Sequence, residues 1–64
     1  MIFHVILGSR VAVYSTSDSV PLPQFLDFVE AKDPTDGKMF FGIVKQRKLY
    51  LNKAFAEIYL ENIT

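Results

Sequence analysis

The side chains in this sequence that could do chemistry are few, and their spacing argues against most of it. His4 is the one imidazole in the chain. It sits in an apolar run, facing Val13 in the hairpin described below, with no acid placed to orient it as a general base. A packed or interfacial histidine is expected, and its one functional role would be a pH-sensitive subunit contact. Asp27 and Glu30 are spaced i, i+3 on the polar side of a predicted helix, where solvation accounts for both. Asp33 and Asp36 lie in an Asp-Pro-Thr-Asp-Gly turn that offers only two carboxylates, too few oxygens in register for calcium. There is no cysteine, and the three glycines are isolated rather than gathered into a phosphate loop. No catalytic residue, metal ligand or cofactor is expected, and the chain reads as a non-enzyme.

The positive functional hint is basic. Lys45, Arg47 and Lys48 fall within four residues, with Lys53 close behind. At the tip of a predicted hairpin, Lys45 and Lys48 would face each other across the neck. Like charges so placed cost a few tenths of a kcal/mol up to about 1. A nucleic acid would relieve that cost, and Tyr50 or Phe41 could stack on a base. This reading is the alternative, because a charged tip also serves to keep a Phe-rich ribbon from aggregating. The formal net charge is zero, a weak footprint for a polyanion partner. The two signs are segregated: residues 1–37 carry two basic against five acidic side chains, and residues 38–64 carry five against two. The simpler consequence is that the two halves attract each other in the folded chain.

Length narrows the rest. A chain of 64 residues is one domain, and one this small buries only about 60% of the surface its unfolded form exposes. Disulfides are excluded, and a single histidine without cysteine excludes the common structural zinc sites. Half the residues are hydrophobic, including six Phe and three Tyr. So much apolar surface points to self-association as a support for the fold. The expected function is therefore a small protein-protein interaction module, a homodimer or assembly subunit that regulates or inhibits a partner protein. The opening MIFHVIL lacks a basic leader, and no stretch approaches the roughly 20 apolar residues that cross a bilayer. A soluble, cytoplasmic protein without a membrane partner is expected, and the Asn62-Ile63-Thr64 sequon is read as chance.

The elements follow from punctuation and period. Ile2 to Leu7 and Arg10 to Thr16 are β-branched and aromatic runs separated by Gly8-Ser9, which suits a type II′ hairpin turn. Phe3 then faces Tyr14 and Val5 faces Ala12. Ser15 to Ser19 is a loop by composition. Between Pro23, suited to a first helical position, and Pro34, the side chains of Phe25, Leu26, Phe28 and Val29 gather on one arc at 100° per residue. The spacing predicts a helix from Pro23 to Lys32. Lys38 to Val44 and Lys48 to Asn52 read as a second hairpin, looping at Gln46-Arg47 or across the whole of Lys45 to Lys48, with Val44 opposite Leu49 either way. Gly42 within it marks a bulge or a close backbone approach.

Residues 53–63 support two readings. Asn52 as an N-cap and the Lys53, Glu57, Glu61 stripe favour a helix, whereas alternation of Ala56, Ile58 and Leu60 with Glu57, Tyr59 and Glu61 fits a strand. The helix gives an α+β domain of order ββαββα, an antiparallel sheet with helices on one face. The strand gives a small SH3-like or other β-barrel. Both hairpins carry apolar residues on both faces, so Phe3, Val5, Tyr14, Phe41, Ile43 and Tyr50 are the expected association surface.

Overall fold

In the computed structural model, which describes residues 1–17 and 20–63, strand accounts for 59% of the described residues and there is no α-helix among them. Five strands run in order β1 (Ile2–Leu7), β2 (Arg10–Ser15), β3 (Phe28–Lys32), β4 (Met39–Tyr50) and β5 (Phe55–Glu61). The only helical turn among the described residues is a 3₁₀ turn at Leu51–Lys53. The strands form one sheet ordered β2-β1-β5-β4-β3, with β1 parallel to β5 and every other neighbour antiparallel. This overturns the α+β expectation: neither predicted helix exists, and the sheet curls into a nearly closed barrel. Asp18 and Ser19 of the predicted Ser15–Ser19 loop, and Thr64 of the sequon, lie outside the described residues.

The first hairpin forms as its turn chemistry dictates. Gly8 has φ +61° and Ser9 is not among the positive-φ residues, the pattern of a type II′ turn. Phe3 pairs with Tyr14 and Val5 with Ala12. The predicted helix from Pro23 to Lys32 is instead a tight turn followed by a strand. The Asp27 amide donates to the Gln24 carbonyl at 3.1 Å, and the Asp27 carboxylate accepts the Gln24 amide at 2.9 Å. Leu26, at φ +71°, occupies the third turn position where glycine is usual. From Phe28 onward Val29 and Ala31 turn inward while Phe28, Glu30 and Lys32 are exposed. The apolar arc that signalled a helix is not a buried face: Phe25, Leu26 and Phe28 are 61%, 65% and 56% exposed.

The second predicted hairpin is one continuous strand. No Gly, Pro, Asn or Asp interrupts Lys45-Gln46-Arg47-Lys48, and β5 supplies ladder partners on both sides of Lys45, for Ile43 and Val44 and for Gln46 to Tyr50. The register slips between Val44 and Gln46, so Lys45 is an extra, bulged residue. The first part of β4 pairs with β3 and the later part with β5, the two ladders overlapping at Ile43. Gly42 lies just before that overlap. A Cβ there would collide with the Glu61 carbonyl and sit 3.1 Å from the Leu60 Cβ, so the close approach needs glycine. The C-terminal segment is strand because Ala56, Ile58 and Leu60 are all buried. Asn52 does not cap a helix; it lies in the 3₁₀ turn, which Ala54 closes in the left-handed conformation (φ 50°, ψ 48°).

Among the described residues nine side chains form the core: Phe3, Val5, Ala12, Ala31, Phe40, Val44, Ala56, Ile58 and Leu60. Three of these are alanines, which narrows the interior and lets the strands draw together. The two edge strands approach each other without pairing. Across the seam the Lys32 amide donates to the Tyr14 hydroxyl at 3.0 Å. Arg10 meets Asp33 at 3.1 Å and Asp36 at 3.3 Å. Side chains rather than a backbone ladder thus bring the barrel to near closure.

Candidate interaction surfaces

Inward and outward positions follow from the register. On the outer face, β1 presents Ile2, His4 and Ile6, and β2 presents Val11, Val13 and Ser15. Strand β5 adds Phe55, Glu57, Tyr59 and Glu61, β4 adds Met39, Phe41, Ile43, Gln46, Lys48 and Tyr50, and β3 adds Phe28, Glu30 and Lys32. This face has an apolar body. Of the fourteen large apolar side chains at least 37% exposed among the described residues, seven lie on this face: Ile2, Val11, Val13, Phe28, Met39, Phe41 and Tyr50. At the β3–β4 end, Phe28 and Phe41 lie with ring centroids 5.9 Å apart, and Met39 is 51% exposed nearby in the register.

Toward the β4–β5 end, aromatic rings and charges interleave. Tyr50 and Phe55 stack at 5.7 Å, and His4 meets Phe55 edge-on at 4.7 Å. Lys48 stands 5.4 Å over the Tyr59 ring and Lys53 5.7 Å over that of Tyr50. The Tyr50 hydroxyl donates to Glu57 Oε1 at 2.9 Å. That bond to a carboxylate, reinforced by desolvation, raises the Tyr50 pKa above its ordinary 10.0. Tyr59 is also raised, first by desolvation and then by Glu57. His4 has Glu57 as its register neighbour on β5, an acid that the isolated hairpin did not offer.

The residues expected at an association surface are divided by the fold. Phe3 and Val5 are 2% and 1% exposed and belong to the core, because the face they share turns into the barrel. Tyr14 is half-buried, its ring stacked on Phe3 at 5.7 Å and its hydroxyl at the seam. Phe41 and Tyr50 are exposed and Ile43 is half-buried, all on the outer face. Sequence reasoning missed Phe28, for which a helix was expected, and Val13, because the opposite face of the first hairpin was expected to lie outward; Met39 shares the face of Phe41, Ile43 and Tyr50 in the sequence reading and in the register alike.

The four basic residues do not form the predicted tip. Lys45 is exposed at the bulge, and Lys48 and Lys53 lie over tyrosines. Arg47 turns toward the inner side, where its Nη1 donates to Gln24 Oε1 at 3.2 Å and its Nε is buried with no hydrogen-bond partner. Asp33 and Asp36 serve the turn: the Asp33 carboxylate accepts the Thr35 amide at 2.8 Å and that of Asp36 the Lys38 amide at 2.9 Å. The Lys38 amide, with Arg10 beside it, holds the Asp36 carboxyl below its ordinary 3.8.

Concavities formed by described residues adjoin these surfaces. One, of about 120 Å³, opens at the seam between β2 and β3. A larger depression of about 440 Å³ is lined only by the contiguous Leu49–Lys53 stretch, so it encloses nothing. Among the described residues no three His, Cys, Asp or Glu side chains cluster as metal ligands, and no helix is long and apolar enough to cross a membrane. Comparison of the chain with protein-family models, with curated proteins and with solved structures finds no match in any of the three.

Proposed function

We propose that the chain is a non-enzymatic protein-interaction module, a homodimer or a subunit of a larger assembly, that works by burying the outer face of its sheet. The observation that carries this reading is the exposed Phe28–Phe41 pair, continuous in the register with Met39 and Ile43. Exposed aromatic anchors on a rigid sheet lose little conformational entropy when covered, which is why such groups dominate binding energy at interfaces. Phe41→Glu and Phe28→Glu each place a charge on the surface without entering the core, so both variants should fold. Sedimentation at micromolar concentration should show a dimer for the parent chain and a monomer for each variant, the dissociation constant rising by roughly 30-fold or more for loss of one anchor. A parent chain that sediments as a clean monomer and binds no apolar dye would sink the reading.

Nucleic acid is the second reading, supported by the two lysines that stand over tyrosine rings, Lys48 and Lys53. With Lys45 exposed on the same strand, a single strand could stack on Tyr50 or Tyr59 while its phosphates meet the lysines. Binding to generic DNA or RNA that weakens steeply between roughly 50 and 200 mM salt would favour it over the first.

A further inference from the structure

The seam of the barrel has the features of a second binding site, whose cavity shares only Glu30 with the outer face. In β1–β2 the Gly8-Ser9 loop makes Leu7 and Arg10 the closing hydrogen-bonded pair, and bonded pairs then alternate along the hairpin. The Thr16 amide donating to the Met1 carbonyl at 2.9 Å keeps that phase. The backbone N–H and C=O groups of Val11, Val13 and Ser15 therefore point away from β1, along the free edge of β2. The same reasoning from the Asp33–Lys38 bond directs those of Phe28, Glu30 and Lys32 out of β3, and the Lys32 amide is indeed the one that reaches Tyr14. The two edges are held a tyrosine side chain apart, farther than the 4.7–4.9 Å at which strands pair.

These edges are not equally protected. Strand β3 carries Glu30 and Lys32 on its exposed side and has spent one edge amide on Tyr14. Along β2 the one charge is Arg10 at the turn end, already engaged by Asp33 and Asp36; Val11, Val13 and Ser15 carry none, and the strand has no proline and no bulge, devices that commonly guard a free edge. Beside it lies the cavity of about 120 Å³, lined by Phe3, Val5, Tyr14, Pro23 and Val29 with Glu30 at its polar side. An engineered cavity of roughly 150 Å³ accepts a benzene ring, so this one suits an aliphatic side chain or proline rather than an aromatic one. Both ion pairs among the described residues belong to Arg10, which leaves the Glu30 carboxylate without a cation.

We propose that the seam is a groove for an extended peptide segment of a partner protein. The segment adds along the edge of β2, inserts an aliphatic residue into the cavity, and sets the lysine or arginine that follows it beside Glu30. Successive side chains of a strand point to opposite faces, so an aliphatic-basic dipeptide delivers one group inward and the next outward.

Selection of a random-peptide library against the intact chain tests this. The enriched sequences should share an aliphatic residue followed by Lys or Arg, and a blocked synthetic peptide of that consensus should shift the amide resonances of Val11 and Val13. Glu30→Lys, an exposed substitution that leaves the fold intact, should weaken that peptide by about fivefold and turn the selected pair to aliphatic-acidic. Phe41→Ala, which removes an outer-face anchor without placing a charge opposite Glu30 in the register, should leave peptide binding unchanged, so the two sites fail separately. The groove is refuted by the absence of any consensus, by a consensus indifferent to Glu30→Lys, or by shifts confined to Phe28 and Phe41. Concentration-dependent exchange protection of the Val11 and Val13 amides in the peptide-free chain would also refute it, assigning the edge to a second copy.

Discussion

Replacing Gly42 by alanine tests the close approach of β4 to the Glu61 carbonyl. Its φ is not in the left-handed region, so the cost is steric rather than conformational. The new methyl would run into the Glu61 carbonyl and press the Leu60 Cβ at 3.1 Å. Neither neighbour gives easily: one is backbone, and the other belongs to a core side chain that is 3% exposed. Relief requires either opening the last rungs, Ile43–Glu61 and Val44–Leu60, or accepting an overpacked core. Two hydrogen bonds at about 0.5–1.5 kcal/mol each, or overpacking at about 1–3 kcal/mol, give similar costs. Alanine returns about 0.4–1 kcal/mol by restricting the unfolded chain. The net loss is about 1.3 kcal/mol, which for a domain of this size lowers the melting temperature by roughly 5–10 °C. Thermal and urea unfolding measure it. A chain shortened to end at Leu60 lacks the colliding carbonyl, so the same substitution there should cost much less, and the cycle of four variants isolates the clash. An unchanged melting temperature, or an equal cost in the shortened chain, would refute the close approach as the reason for glycine.

Two further outcomes follow from the β4–β5 half of the sheet. Arg47→Met keeps the packed stem and removes the buried Nε that has no partner; unfolding should show no loss or a gain of up to about 1 kcal/mol, and a larger loss would mean that the bond to Gln24 stabilises the fold more than the stranded donor costs. Glu57→Gln removes the carboxylate that raises Tyr50, so ultraviolet titration should find the phenol nearer its ordinary 10.0. The sign for stability is fixed by the raised value: the contribution of the neutral Tyr50 is fully present below pH 10.0 and is lost as pH rises through the folded pKa, so the parent chain should weaken in alkali and Glu57→Gln should show less of that dependence.

The parts of the fold legible in the sequence were those fixed by local chemistry. Gly8-Ser9 set a turn type, and the turn set the register of β1 and β2. The Asp33–Lys38 turn was readable for the same reason, with Gly37 at φ +72°. The two helices failed for different physical reasons. Between Pro23 and Lys32 the apolar arc was taken to mean burial, yet Phe25, Leu26 and Phe28 are exposed; the strand that forms buries the smaller Val29 and Ala31. At the C-terminus the Glu57–Glu61 spacing was uninformative, because four residues return to the same side of a helix and also to the same face of a strand. What decided the matter is nonlocal: β1 and β4 both needed β5 between them, and no window of sequence contains that demand.

The central segment shows how a mistaken element can still assign side chains to faces. A two-residue loop at Gln46-Arg47 and a single bulged residue at Lys45 each break the alternation of a strand by one step. After either, Leu49 shares a face with Val44 and Phe40, and Tyr50 shares one with Ile43 and Phe41, as the observed register has it. Phe41, Ile43 and Tyr50 were therefore placed together correctly, although the hairpin that placed them does not exist. The basic residues had no such protection. In a hairpin Arg47 would occupy the loop, whereas one step past a bulge it pairs with Ile58 and must point inward. The apolar side of the candidate surface was thus robust to the error and the cationic side was not. This is why the outer face, rather than a basic tip, carries the functional reading.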